Sequence, residues 1–133
     1  MDKLNFEIVS PERLVLSESV DEVVLPGTEG YLGVLPGHAP LLSSLMPGEI
    51  SYRAGDRVRY LAVSGGFAEV LPDKVTILAE TCERAEEIDL GRAERSKDRA
   101  EKELREAESE RFRAASARLQ RAVTRIHVVG RVR

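Results

Sequence analysis

From residue 3 to residue 9 apolar and polar side chains alternate, with Leu4, Phe6 and Ile8 on one side and Lys3, Asn5 and Glu7 on the other. That two-residue period predicts a half-buried strand, which Ser10-Pro11-Glu12 ends. Similar segments follow at residues 13–16 and 20–25, on either side of Ser17-Glu18-Ser19, and Pro26-Gly27 predicts the next turn. Between Glu29 and Leu41 the glycines at 30, 33 and 37 and the prolines at 36 and 40 come too densely for a helix, so this stretch predicts a corner with short strands around it. Met46-Pro47-Gly48 turns the chain into residues 49–53, and Ala54-Gly55-Asp56 returns it through residues 57–63 as a hairpin. Ser64-Gly65-Gly66 interrupts before residues 67–71, and Pro72-Asp73 closes one more hairpin into residues 74–78. Eight or more short strands with closely spaced turns predict a compact β sandwich or flattened barrel, with no helix longer than a turn before residue 80.

After Cys82 the period changes. Leu90, Ala93, Ala100, Leu104 and Ala107 recur at helical spacing, and beyond Glu108-Ser109-Glu110 so do Phe112, Ala115, Leu119, Ala122, Ile126 and Val129. Asp89 is placed to cap the first helix. No strong breaker lies in residues 106–111, so the pattern allows an antiparallel helical hairpin or one continuous helix of about 40 residues, roughly 60 Å long. Much of the apolar stripe is alanine, which buries little area at about 25 cal/mol per Å², so such a hairpin is weakly packed and can open.

The charges divide the chain in the same place. Residues 1–82 carry twelve acidic and six basic side chains, a net of −6, whereas residues 83–133 carry eleven and fourteen, a net of +3. From Arg111 onward, Arg111, Arg113, Arg118, Arg121, Arg125, Arg131 and Arg133 stand without a single acid, which predicts an anionic partner: a protein, a nucleotide or a nucleic acid. The mixed charges before it predict a solvated helix face with i,i+4 pairs such as Asp98–Lys102 and Glu101–Arg105. At 133 residues the chain suits one small domain with an appendage. With one cysteine it can form no internal disulfide, and without a leader or an apolar run of ~20 residues it is expected to be soluble and unexported. His38 and His127 are solitary, no serine sits in a nucleophile elbow, and Ser64-Gly65-Gly66-Phe67 lacks the context of a phosphate loop, so neither a metal centre nor catalysis by this chain is expected.

Three separated motifs carry a family resemblance: Gly33-Val34-Leu35-Pro36-Gly37-His38-Ala39-Pro40-Leu41, Ser64-Gly65-Gly66-Phe67-Ala68-Glu69-Val70, and Asp73-Lys74-Val75-Thr76-Ile77-Leu78-Ala79, followed by the two-helix tail. In order and extent they resemble the epsilon subunits of bacterial and chloroplast F-type ATP synthases. The resemblance implies an α+β chain: a ten-stranded antiparallel β sandwich over residues 1–84, binding the gamma subunit and the c-ring, then a regulatory α-helical hairpin over residues 85–133. It implies a noncatalytic central-stalk rotor subunit that couples c-ring rotation to gamma and the alpha/beta catalytic head of a proton-translocating enzyme, peripheral on the cytoplasmic face of the bacterial inner membrane. Glu29, Gly30, Tyr31, Leu32, His38 and Leu41 are the implied c-ring and gamma contacts, with Tyr31 where many relatives have an acid.

The hairpin is the implied inhibitor of ATP hydrolysis, acting in an extended state through a basic second helix, here Arg111, Arg113, Arg118, Arg121 and Arg125. Some relatives bind ATP in the folded hairpin through Ile/Leu-Asp-x-x-Arg-Ala. This chain reads Ile88-Asp89-Leu90-Gly91-Arg92-Ala93, and Arg121 and Arg125 match arginines that complete the site. No cofactor is required, and ATP is the implied regulatory ligand. The plainer alternative gives Asp89 to a helix cap and Arg92 to a neighbouring acid. A competing reading, an anion- or nucleic-acid-binding module using the basic helix, has against it the acidic first half and aromatic residues not interleaved with the arginines.

Overall fold

A computed structural model describes residues 2–106 and 109–132. Ten strands precede the helices: β1 (Leu4–Val9), β2 (Leu14–Val20), β3 (Glu22–Gly27), β4 (Gly30–Val34), β5 (Leu41–Leu45), β6 (Gly48–Ala54), β7 (Arg57–Val63), β8 (Gly66–Val70), β9 (Lys74–Ala79) and β10 (Cys82–Arg84). A 3₁₀ turn at Ala85–Glu87 leads into α1 (Leu90–Glu106) and α2 (Ser109–Val129).

The strands follow the path β10-β7-β6-β3-β5-β8-β9-β1-β2, with β4 added to the other edge of β3. Val23 and Val24 pair with β4 on one side and with β6 on the other, and Gly27 at the end of the same strand pairs with Leu45 of β5. β3 therefore passes from one layer into the other. Every pairing is antiparallel except β1 with β9, which run parallel with Phe6 opposite Val75 and Ile8 opposite Ile77. The inner faces meet where the Phe6 ring stands edge-on to Tyr52 at 5.5 Å. Leu4, Phe6, Ile8, Leu25, Ile50, Leu61 and Ile77 are fully buried, each contributing about 1.5–3 kcal/mol against exposure.

One local expectation changes. Ser17-Glu18-Ser19 is not a turn: β2 runs straight through it, because Ser17, Glu18 and Ser19 pair with Glu7, Phe6 and Asn5, and the break comes at Asp21. There the Asp21 carboxylate accepts the Gly55 N–H at 2.7 Å and is bonded to Lys3, which holds its pKa below the ordinary aspartate value. β10 pairs with β7 before any helix begins and completes the ten strands that the resemblance implies. Three residues are too short for a period to register. The glycine of Ser64-Gly65-Gly66 that the fold cannot replace is Gly66, at φ +144°, where a Cβ would lie 2.1 Å from the Leu78 carbonyl oxygen.

The helices form an antiparallel hairpin, not one continuous rod. Ala93 and Ala100 of α1 and Ala115 and Ala122 of α2 are buried along its seam, and Glu103 is ion-paired to Arg118 across it. Ala107, assigned above to the first stripe, lies outside the described residues, as does Arg133. Asp89 does cap α1: its Oδ1 accepts the Arg92 N–H at 3.0 Å, and its carbonyl accepts the Ala93 N–H at 3.0 Å. Phe112 is half exposed, and the helical ion pair along α1 is Lys97–Glu101 at 3.7 Å in place of the two pairs expected.

Cys82 is buried at the start of β10, and that burial pushes its thiol up to about 12. A neutral, enclosed thiol is inert to alkylation. Iodoacetamide at pH 8 is expected to label the native chain only at its rate of opening and the denatured chain at once; rapid stoichiometric labelling of the native chain would contradict this burial.

Candidate functional site

The alternation of each strand sends one set of side chains into the sandwich and leaves the other outside. In several strands of one layer the outside set contains large apolar residues. Phe67 of β8 faces Leu78 of β9, Leu78 faces Val9 of β1, and Val9 faces Leu14 of β2, so the four form one cross-strand row. Phe67, Leu78 and Leu14 are 65%, 57% and 58% exposed, and Leu42 on neighbouring β5 is 76% exposed. A contiguous apolar strip on an otherwise polar sheet face is not ordinary surface scatter and is a candidate partner surface.

None of Leu14, Leu42, Phe67 and Leu78 was among the contact residues expected from sequence. Part of their signal was present: Leu42, Phe67 and Leu78 are apolar on the wrong parity for their strands, as with Leu78 between buried Ile77 and Ala79, whereas Leu14 shares the parity of buried Leu16 and Val20 and is exposed beyond the register shift between Ile8 and Val9. The expected contact residues fall at two separate places. Glu29, Gly30 and Tyr31 are exposed at the tip of the β3–β4 hairpin, with half-buried Leu32 behind them, beside Met46, Pro47 and Gly48 at the β5–β6 corner. His38 and Leu41 are at the far end of β5, where the Gly37 N–H donates to the Pro72 carbonyl at 2.7 Å. Four residue steps of about 3.3 Å along β5, roughly 13 Å, separate the ends. Leu41 also has the inward parity, opposite Val70, while Leu42 beside it points out.

The hairpin covers the outer face of the other layer. On β6 and β7, Leu61 and Val63 point into the sandwich, so Tyr60, Ala62 and Glu49 point away from it. Ala62 joins Ala85, Ile88, Val128 and Val129 in a second apolar cluster beneath α2, with Tyr60 and Leu90 at its margin. The groove between α2 and the β3–β4 tip is lined by Tyr31, Met46, Leu119 and Val123.

The arginines expected to form one basic face are distributed among different neighbours. Arg111 and Arg113 are exposed near the start of α2, Arg118 is turned onto Glu103 of α1, and the Arg125 Nε lies 2.5 Å from Glu83 of β10. Of the expected nucleotide-binding set, Ile88 and Ala93 are buried, Asp89 is committed to its cap, and the Arg92 side chain is exposed with no ion pair among the described residues. Antiparallel packing brings the first turn of α1 beside the C-terminal half of α2, where Arg121 and Arg125 flank a crevice over Ala62, Val63 and Ser64 that is too small for a water molecule. Glu83 already occupies the Nε of Arg125, so it competes with a phosphate for that guanidinium.

A β sandwich followed by a helical hairpin is the architecture of the delta and epsilon chains of ATP synthases. Residues 3–85 match the family described as "ATP synthase, Delta/Epsilon chain, beta-sandwich domain" and residues 86–130 that described as "ATP synthase, Delta/Epsilon chain, long alpha-helix domain". The chain is 56% identical over 98 residues to the ATP synthase epsilon chain of Koribacter versatilis, covering 74% of this chain and 69% of that one. Over 96 residues it is 56% identical to the epsilon chain of Nitratidesulfovibrio vulgaris, covering 72% of each. Among solved structures, a chain of the Euglena gracilis mitochondrial ATP synthase (OSCP/F1/c-ring) superposes with a TM-score of 0.86 at 21% identity, over 97% of this chain and 82% of that one, which establishes likeness of fold. This chain belongs to the delta/epsilon family of ATP synthase subunits, as one of its epsilon chains. No helix among the described residues is long and apolar enough to cross a membrane.

Proposed function

We propose that this epsilon chain is a noncatalytic rotor subunit of a proton-translocating F-type ATP synthase, held in the central stalk between gamma and the c-ring, peripheral on the cytoplasmic face of the inner membrane. The observation that supports it best is the bare apolar row Leu14–Val9–Leu78–Phe67 with Leu42. It lies on the layer opposite the hairpin, so a partner such as gamma can cover it without disturbing the helices. The polar β3–β4 tip with Glu29 and Tyr31 is then the end offered to the c-ring, while His38 and Leu41, at the other end of β5, belong with gamma.

The hairpin, in this reading, inhibits ATP hydrolysis when it leaves the sandwich and extends toward the alpha/beta head. Its alanine seam and limited apolar cluster favour two arrangements close in energy. Release would also free Arg125 from Glu83 and Arg118 from Glu103, adding both to the exposed Arg111 and Arg113, so the basic surface is completed by opening. ATP binding by Asp89, Arg92, Arg121 and Arg125 would favour the folded hairpin, with Glu83 as the group that the phosphates replace.

Three measurements check this reading. Leu78→Glu puts a charge in the centre of the apolar row while leaving the inward face of β9 intact, and is expected to weaken co-purification with gamma by at least tenfold, the scale of an interface hot spot of about 2 kcal/mol; undiminished binding would place gamma elsewhere. Truncation after Ala85 is expected to preserve assembly and raise ATP hydrolysis in the reconstituted complex, and an unchanged rate would remove the inhibitory role. Calorimetric titration of ATP is expected to show saturable binding that Arg92→Ala abolishes; no heat from either protein would leave Asp89 and Arg92 as helix architecture only.

A further inference from the structure

Glu49 is the one charged side chain that the fold buries among the described residues, and the sandwich is not what buries it. It stands at the second position of β6, opposite Ala62, on the outer face that α2 covers. Its strand is pinned beneath it: Gly48 approaches Pro26 so closely that a Cβ would lie 2.7 Å from the Pro26 Cβ, and the Glu49 N–H donates to the Tyr31 hydroxyl at 3.2 Å. Two side chains from the end of the chain converge on one oxygen. His127 Nε2 lies 2.9 Å and Arg131 Nε 3.3 Å from Glu49 Oε2, and the Arg131 guanidinium also lies 5.1 Å over the Tyr60 ring. Glu49 is 10% exposed, whereas His127 and Arg131 are 59% and 44% exposed, so the carboxylate is enclosed while its partners remain wet. An enclosed carboxylate is tolerable only while such partners hold it.

These contacts sit where the hairpin is attached. α2 packs on β6, β7 and the 3₁₀ turn, whereas the main packing of α1 is on α2. Besides the clasp at Glu49, the polar links from α2 to the strands among the described residues are Arg125–Glu83 and the Gln120 Nε2 bond to the Pro47 carbonyl at 3.4 Å.

We propose that Glu49, His127 and Arg131 form an ionic clasp that fastens the C-terminal end of α2, and through it the whole hairpin, to the outer face of the sandwich, so that weakening this one carboxylate releases the hairpin. When the hairpin leaves, Glu49 returns to water and its two partners need no replacement, which makes the clasp reversible. Its consequence for ATP hydrolysis rests on the inhibitory reading above; the clasp itself does not.

Hydrogen exchange followed by mass spectrometry on the full chain tests it. Glu49→Gln keeps the shape and removes the charge, and is expected to speed exchange of the amides in residues 119–129 about tenfold at low salt, the scale of one charge-assisted hydrogen bond, with β1 and β9 unaffected. Wild-type exchange there is expected to rise toward the variant's in about 1 M salt, where the screening length is ~3 Å. Arg131→Gln, a change at an exposed position that leaves the sandwich intact, is expected to act in the same direction. Unchanged exchange of α2 in both variants overturns the clasp, even if truncation of the hairpin raises hydrolysis. Faster exchange with no change in hydrolysis by the reconstituted complex supports the clasp and counts against the inhibitory role instead.

Discussion

The use of both edges of β3 is the constraint on which the sandwich depends. Val23 and Val24 bond to β4 on one side and β6 on the other, and three residues later the same strand ends against β5. A strand shared in this way joins the layer that carries the helices to the layer that carries the apolar row. The backbone of both layers is thereby fixed by hydrogen bonds, and the inner side chains need only fill the space between, as Phe6 and Tyr52 do. Close approaches at Gly48 and Gly66 keep the corners tight where a side chain would force the strands apart.

A sandwich with two differently used outer faces suits the proposed role, in which one partner holds the subunit while the hairpin moves. One face is apolar and bare, which favours a lasting contact. The other is covered by a hairpin whose apolar cluster is small and whose remaining attachments include the ionic contacts Arg125–Glu83 and Arg131–Glu49, and such contacts respond to charge and salt more than a hydrophobic seam does. Local stability then falls from the strands to the helices, the gradient expected when one part of a fold is a scaffold and another a moving element.

The arginines illustrate how tertiary placement changes the meaning of a charge run. In sequence the segment after Glu110 is uniformly basic. In the fold Arg118, Arg125 and Arg131 are each turned to an acid from an earlier element, Glu103, Glu83 and Glu49. The acid-free run is therefore made complementary to the rest of the chain as well as to any external anion. A helix that is satisfied at home and attractive abroad needs only small differences in energy to choose between the two.

Much of the fold was legible because its signals are local. Alternation marked most strands, glycine and proline marked the corners, and the three- and four-residue recurrence of alanine and leucine marked both helices, with Asp89 at the cap. Ser17-Glu18-Ser19 misled because polar residues on an exposed strand resemble a turn until the partner strand is known, and β10 was too short to carry a period. Of the candidate site residues, sequence could name those around Tyr31 and those of the Ile88–Ala93 motif within their own segments, but it could not show that His38 and Leu41 lie at the opposite end of β5 from Tyr31, nor that Leu14, Leu42, Phe67 and Leu78 share one surface. Those facts, and the meeting of Glu49 with His127 and Arg131, arise between residues far apart in the chain. Periodicity tells which side of its own element a residue occupies; only the pairing of strands and the docking of the helix decide what stands opposite.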